Sequence, residues 1–99
     1  MKRKMRITET EIARKTVESD GYVYCYTLIK RESRRMPLYQ VPLYSIKIDL
    51  TDFGGNTTSA ISDDLFSDLG KAVVFYECLV RNLATPENLA YVVEDEIAR

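Results

Sequence analysis

The spacing of apolar residues changes near residue 62, and this change constrains the fold more than any other feature of the chain. Before it, several segments alternate apolar and polar side chains, which is typical of strands with one covered face. After it, apolar residues recur three and four positions apart, which predicts amphipathic helices. Strands followed by helices predict an α+β domain, with an antiparallel sheet of three to four strands and two C-terminal helices packed on one face.

Four segments are rich in β-branched and aromatic residues and predict strands. The second of them, YVYCYTLIK, has the clearest alternation, and Asp20-Gly21 before it favours a tight hairpin turn because glycine accepts a positive φ. The charged segment RESRRMP breaks the pattern and is interpreted as a loop. The predicted strands cover residues 5–18, 22–30, about 41–51 and 57–62.

Two helices are predicted in the last third of the chain. We place the start of the first at Asp63-Asp64, because carboxylates favour the positive end of a helix dipole. Thr85 and Pro86 predict the start of the second, as a capping hydroxyl and a first-turn proline. The apolar stripe of the first helix is Leu65, Leu69, Ala72, Val73, Tyr76, Leu79, Val80 and Leu83, and that of the second is Leu89, Val92, Val93 and Ile97.

The triplet Asp52-Phe53-Gly54 has the order of the magnesium-binding D-F-G motif of protein kinases. A kinase also needs a glycine-rich loop, a strand lysine and an H-R-D catalytic loop, and this chain has neither the glycine pattern nor any histidine. Asp52, Gly54, Gly55 and Asn56 are residues that a turn favours, since glycine and asparagine tolerate positive φ and aspartate caps its own backbone. We therefore predict a hairpin turn here.

Length and composition indicate a single domain over residues 1–99 with no cofactor. The chain has no histidine, which removes the commonest general base and transition-metal ligand. Its two cysteines, Cys25 and Cys78, are far apart and are interpreted as small buried residues. No apolar run approaches the roughly 20 residues that span a bilayer, and no secretory signal is evident, so we expect a cytoplasmic protein.

Charge is distributed unevenly along the chain. Residues 1–35 hold ten basic and five acidic side chains, whereas residues 36–99 hold four and ten. Such asymmetry is compatible with a polyanion-binding face, with a self-complementary surface, or with halves that neutralise each other in the fold. If the helices cover the side of the second strand that holds Val23, Cys25 and Ile29, its tyrosines stand on an open face beside basic residues. The candidate interaction surface is then Tyr22, Tyr24, Tyr26, Arg31, Arg34 and Arg35.

This surface has three interpretations. The tyrosines lie partly in the core, or they form a protein interface that includes a homodimer, or they stack single-stranded nucleic acid. A second candidate is an acidic patch, Glu94, Asp95 and Glu96, near the end of the last helix. Neighbouring helix positions point about 100° apart, so these three do not converge on a metal. They favour either a solvated helix end with an ion pair or a docking patch for a basic partner.

The C-terminal half resembles a group of small clostridial (Firmicute) proteins that carry only a domain-of-unknown-function label. The resemblance is carried by the strand Tyr44-Ser45-Ile46, by an Asn-x-x-Thr-Pro-x-x-Leu junction and by Val92-Val93-Glu94-Asp95. The junction residues are Asn82, Thr85, Pro86 and Leu89; Ser45 stands where the group usually has glycine, and Asn88 where it often has histidine. The resemblance implies a bacterial cytosolic protein and transfers no catalytic residue.

The sequence therefore favours a non-enzymatic protein-interaction module, which includes self-association as a homodimer. The alternative is a nucleic-acid-binding module that uses the basic N-terminal half and an open tyrosine face. Neither a cofactor, a metal nor a membrane partner is expected.

Overall fold

The computed structural model describes residues 7–33 and 42–97, which form one four-stranded sheet and two helices. Every neighbouring pair in the sheet is antiparallel, and the spatial order β1-β2-β3-β4 follows the chain. The prediction of an α+β fold with two C-terminal helices on an antiparallel sheet is confirmed. The elements are β1 (Ile7–Ser19), β2 (Tyr22–Ser33), β3 (Leu43–Thr51), β4 (Thr57–Phe66), α1 (Leu69–Arg81) and α2 (Pro86–Ile97).

Both hairpin turns follow from their local sequence. Asp20 and Gly21 have φ angles of 55° and 83°, which is the two-residue turn that suits the twist of paired strands. Between β3 and β4, the N–H of Gly55 donates to the carbonyl of Asp52 at 3.0 Å, and the N–H of Asp52 donates to the carbonyl of Asn56 at 2.9 Å. Gly55 has φ 89°. The predicted turn at the D-F-G triplet is confirmed.

The Asp52 carboxylate stabilises this second turn. Its Oδ1 accepts the backbone N–H groups of Gly54 and Asn56, each at 2.9 Å. The hydrogen bond from Asn56 contributes most to lowering the pKa of the Asp52 carboxyl, and the N–H of Gly54 acts in the same direction. The aspartate is thus explained as a turn residue.

Strand β4 runs four residues beyond its predicted end, so the predicted helix start at Asp63-Asp64 is wrong. The register between β3 and β4 shifts between Tyr44 and Ile46 of β3. Opposite these residues β4 forms a bulge, in which Asp64 has φ 55°. The N–H of Asp64 donates to Ser45 Oγ at 2.9 Å, which holds the bulge against β3. Helix α1 is capped instead by Asp68, whose Oδ1 accepts the N–H of Lys71 at 3.1 Å.

The junction between the helices is as predicted. Thr85 Oγ1 accepts the N–H of Asn88 at 3.3 Å, and Asn88 Oδ1 accepts the N–H of Thr85 at 2.9 Å. This reciprocal pair satisfies two backbone donors at the start of α2, and Pro86 follows at its first position. Among the described helices, neither has the length and apolar character needed to cross a bilayer.

The helices cover only one side of the sheet, which we call the inner face. Helix α1 lies over β2, β3 and β4, and α2 packs mainly on β4. Two tyrosines bond the layers together: Tyr26 Oη donates to the carbonyl of Ala84, and Tyr76 Oη donates to the carbonyl of Tyr26, both at 2.8 Å. The buried core is Tyr26, Leu28, Tyr44, Ile46, Ile48, Ala72, Phe75, Tyr76, Leu79, Ala84, Leu89 and Val93.

Candidate interaction surface

The opposite side of the sheet, which we call the outer face, has no helix over it within the part of the chain that the structure describes. Its members follow from the register, because directly opposed residues in an antiparallel sheet point to the same side. They alternate along each strand with the residues of the inner face. The outer face consists of Glu9, Glu11, Arg14, Thr16 and Glu18 from β1, Val23, Cys25, Thr27, Ile29 and Arg31 from β2, Leu43, Ser45, Lys47, Asp49 and Thr51 from β3, and Thr57, Ser59 and Ile61 from β4.

The tyrosines of β2 belong to the inner face, so their expected placement on an open face is corrected. Tyr26 is opposite Ile48 and is completely buried, with 0% of its surface exposed. Tyr24 stacks on Tyr26 with ring centroids 6.2 Å apart and packs against the core. Tyr22 is half-buried at the end of the sheet, where its ring contacts Phe53 edge to face. The helices cover this side because it continues the apolar side of β3.

The side of β2 that was expected under the helices instead forms a stripe along the outer face. Val23, Cys25 and Ile29 are half-buried, whereas Thr27 keeps only 5% of its surface exposed. In the register, Thr27 lies between Arg14 and Lys47. Long basic side chains cover neighbouring surface with their aliphatic stems while the charged groups stay in water. We call Val23, Cys25, Thr27 and Ile29 the β2 stripe.

Ion pairs flank the β2 stripe on both sides. On β1, Arg14 Nη2 lies 2.8 Å from Glu11 Oε1, across the bulge at Ile12. On β3, Lys47 Nζ lies 3.8 Å from Asp49 Oδ1, and that carboxylate also accepts a hydrogen bond from the Ser59 hydroxyl. The hydrogen bond to Glu11 is the largest cause of the raised pKa of Arg14, and the negative charge of Glu11 is the second. Both cations therefore have a carboxylate partner on the same face.

Arg31 connects the two edges of the sheet at one end of the outer face. Its Nε lies 3.1 Å from Glu9 on β1, and its Nη1 donates to Asp63 in the β4 bulge at 2.7 Å. The Nε–H is not aligned with the Glu9 oxygen, so that contact is an ion pair without a hydrogen bond. Arg31 was predicted to be part of a basic patch, and here it is occupied by two acids. Arg34 and Arg35 lie outside the described residues.

The described outer face is acidic in balance. Its three cations are Arg14, Arg31 and Lys47. They are outnumbered by five carboxylates, which are Glu9, Glu11, Glu18 and Asp49 on the face and Asp63 in the adjoining bulge. Nucleic-acid surfaces need cations that are free to replace the counterions of phosphates. The charge pattern of residues 7–33 and 42–97 gives no such surface on this side of the sheet.

The acidic patch predicted in α2 lies away from the β2 stripe. Glu94, Asp95 and Glu96 are all exposed in the last turns of α2. Asp95 has an interaction partner in the fold. Neither in this patch nor at any other place among the described residues do three His, Cys, Asp or Glu side chains come close enough together to hold a metal ion.

Sequence reasoning missed two features of this surface. The alternation along β3 places Ser45 on the same side as the charged Lys47 and Asp49, which is typical of a solvated face, but Ser45 is fully buried because the β4 bulge packs over its hydroxyl. Phe53, at the tip of the second turn, is 82% exposed and lies against Gly21, where an added Cβ would approach its ring to 3.3 Å. The signal for this pairing is the order of the strands, because the first and third connections of an antiparallel meander lie at the same end of the sheet, and here Val23 beside the first turn is opposite Thr51 beside the second.

The chain belongs to DUF6514, a family of unknown function whose model matches residues 5–99. The match spans the residues that form the sheet and both helices. Comparisons with curated proteins and with solved structures gave no match.

Proposed function

We propose that this DUF6514 protein is a non-enzymatic module of the bacterial cytosol that binds another protein through the outer face of its sheet. The observation that carries the proposal is the β2 stripe, in which the half-buried side chains of Val23, Cys25 and Ile29 lie in a row with the buried Thr27, between two sets of paired charges. Protein interfaces have this arrangement, with an apolar centre that excludes water and a polar rim. The β2 stripe replaces the tyrosine face as the surface to test.

The paired charges support a protein partner over nucleic acid. Arg14, Arg31 and Lys47 each have a carboxylate within 4.0 Å. Breaking these pairs to contact phosphate would leave the acids facing a polyanion, which is unfavourable. A protein partner can instead match both signs of charge while its apolar side chains cover Val23, Cys25 and Ile29.

A substitution that changes the β2 stripe without disturbing the core provides the test. Ile29→Lys places a cation opposite Glu11, its cross-strand neighbour, so the folded chain tolerates it. Val74→Lys is the matched control, because Val74 lies on α1 and is largely exposed on the other side of the molecule. Tagged wild type and both variants are used to capture partners from a bacterial lysate, with and without nuclease, and the bound proteins are identified by mass spectrometry.

The proposal predicts one stoichiometric protein, resistant to nuclease, that is captured by the wild type and Val74→Lys but lost with Ile29→Lys. Capture that is equal for both variants would place the contact elsewhere. Material that disappears with nuclease would instead favour the nucleic-acid interpretation of the basic N-terminal half.

A further inference from the structure

We propose that strand β4 pairs antiparallel with β4 of a second copy of this chain, so that one continuous sheet runs through a homodimer. This contact uses the backbone edge of the sheet at β4 and is distinct from the β2 stripe, which lies two strands away. It rests on which backbone groups of the two edge strands are free, and on the side chains that accompany them.

The turn between β3 and β4 determines the direction of each backbone group in β4. Because the N–H of Asp52 donates to the carbonyl of Asn56, these two residues are a hydrogen-bonded pair. Hydrogen-bonded and non-hydrogen-bonded pairs alternate along an antiparallel ladder. Thr58, Ala60 and Ser62 therefore bond to β3. The N–H and C=O groups of Thr57, Ser59 and Ile61 point away from β3, toward the free edge.

The same rule identifies the free groups of β1, the other edge. The two-residue turn makes Ser19 and Tyr22 a hydrogen-bonded pair. From there along β1, every second residue forms no hydrogen bond with β2, and its N–H and C=O groups point toward the free edge. After the bulge at Ile12 the alternation continues with a shift of one position. The residues with outward backbone groups are Glu9, Glu11, Arg14, Thr16 and Glu18.

The two edges differ in how they resist pairing with another strand. Charged side chains and bulges are the usual protection of an edge, and β1 has charges at four of these five positions as well as a bulge. In β4, residues 57–62 carry no charge and no proline, and the bulge comes only after them. Among the described strands, β4 therefore offers the unprotected edge.

The β4 edge is complementary to itself. When a two-fold axis passes through Ser59, that residue meets its own copy, Thr57 faces Ile61, and Thr58 faces Ala60. Every outward group of residues 57–61 then finds a partner, which gives about six hydrogen bonds. No charged residue faces a like charge in this register, and Ile61, now 50% exposed, becomes covered. Because directly opposed residues share a face, the helices of both copies lie on the same side. These matches identify a second copy as the occupant.

The test compares the mass of the purified chain with that of two lysine variants across a range of concentrations, by analytical ultracentrifugation. Ser59→Lys places two lysines against each other at the axis, whereas in the single chain the new lysine faces Asp49. Thr16→Lys adds the same charge at an outward position of β1. We expect twice the chain mass of 11.4 kDa for the wild type and Thr16→Lys. We expect at least about a fivefold weaker dimer for Ser59→Lys.

A proline pair tests the backbone itself. Ser59→Pro removes an outward N–H from β4 without removing a bond to β3, and Thr16→Pro does the same on β1. Circular dichroism checks that each variant folds, and loss of the dimer in Ser59→Pro alone supports the pairing.

A wild-type chain that is monomeric at every concentration would overturn the proposal. So would a dimer that survives both changes at Ser59, or one that the Thr16 variants weaken equally. The measurement needs no lysate, so a monomer would leave the capture experiment on the β2 stripe unaffected. Conversely, a failed capture would leave the dimer standing.

Discussion

Tyr26 and Thr27 are adjacent in β2 and both are buried, but they are buried in different ways. Tyr26 faces the helices, has no exposed surface, and donates to the carbonyl of Ala84, which is 58 residues away in the chain. Thr27 points to the outer face and keeps 5% of its surface exposed, although neither helix of residues 7–33 and 42–97 covers it. Its neighbours across the sheet are Arg14 and Lys47.

This difference separates residues that hold the two layers together from residues on the side of the sheet that the proposed function uses. Inner-face side chains are covered by another layer, and exposing them requires the helices to leave the sheet. On the outer face Val23, Cys25 and Ile29 are half-buried with no helix over them among the described residues, so exposing them there disturbs no second layer. The comparison therefore predicts a larger stability effect for inner-face substitutions than for outer-face ones.

The largest effect is expected from truncating adjacent residues on the two faces. Leu28→Ala removes a fully buried side chain from the inner face and should lower the free energy of unfolding by roughly 2–5 kcal/mol. Ile29→Ala removes a half-buried one from the outer face and should lower it by about 1 kcal/mol. Urea unfolding of both variants measures the difference. Equal losses would show that a second layer covers the outer face in solution.

The second-largest effect is expected from alkaline pH, which should destabilise the packing of the inner face against the helices. Burial raises the pKa of Tyr26 to about 12, as it does that of Tyr76, and the nearby Tyr24 adds to the effect on Tyr26. An acid whose pKa is higher in the folded state favours folding while it is protonated. That stabilisation is complete below pH 10, the ordinary tyrosine pKa, and is lost as the pH rises toward 12.

The loss should be on the order of 2 kcal/mol for each tyrosine, and urea unfolding at a series of pH values measures it. Tyrosinate absorbance followed in parallel should show these two phenols ionising together with unfolding. If they ionise while the fold is intact, the inner face is open to water.

Removing single hydroxyls should have smaller effects, in a defined order. Tyr26→Phe leaves the Ala84 carbonyl without its donor and should cost about 1–3 kcal/mol. Tyr76→Phe should cost about 1 kcal/mol, because the carbonyl of Tyr26 still accepts the N–H of Lys15 within the sheet. Tyr22→Phe, at the half-buried end of the strand, is the control and should be nearly neutral. Thermal unfolding of the three variants establishes the order, and the reverse order for Tyr26 and Tyr76 would contradict it.

The alternation in β2 defined its two faces correctly, but it did not identify the covered one. Both sides of YVYCYTLIK are apolar enough to be buried, so the composition of the strand alone does not decide. The β3 pattern was unambiguous, with Ile46 and Ile48 on the side opposite Lys47 and Asp49. The covered side of β2 follows only from the register, which places Tyr26 opposite Ile48 and Leu28 opposite Ile46.

Local signals predicted local structure well. Thr85-Pro86 and Asp20-Gly21 each have a capping or turn preference that depends on a few neighbouring residues, and both predictions are confirmed. Asp63-Asp64 has an equally good local preference for a helix start, but it lies in a strand. There Asp63 pairs with Arg31 of β2, and Ser45 of β3 accepts the N–H of Asp64. Contacts with distant strands outweigh the helix dipole, and the sequence around residue 63 carries no sign of them.

The smallest expected effect comes from Lys47, and it tests how Thr27 is covered. Lys47→Met keeps the aliphatic stem but removes the charge. It should change the free energy of unfolding by less than about 0.5 kcal/mol, because an exposed ion pair 3.8 Å long contributes little. Lys47→Ala removes the stem as well, so it should be the more destabilising of the two and should speed hydrogen exchange around Thr27. If the methionine variant is as unstable as the alanine variant, charge pairing rather than coverage by the stem stabilises the outer face. The β2 stripe would then be less accessible to a partner than the proposed function requires.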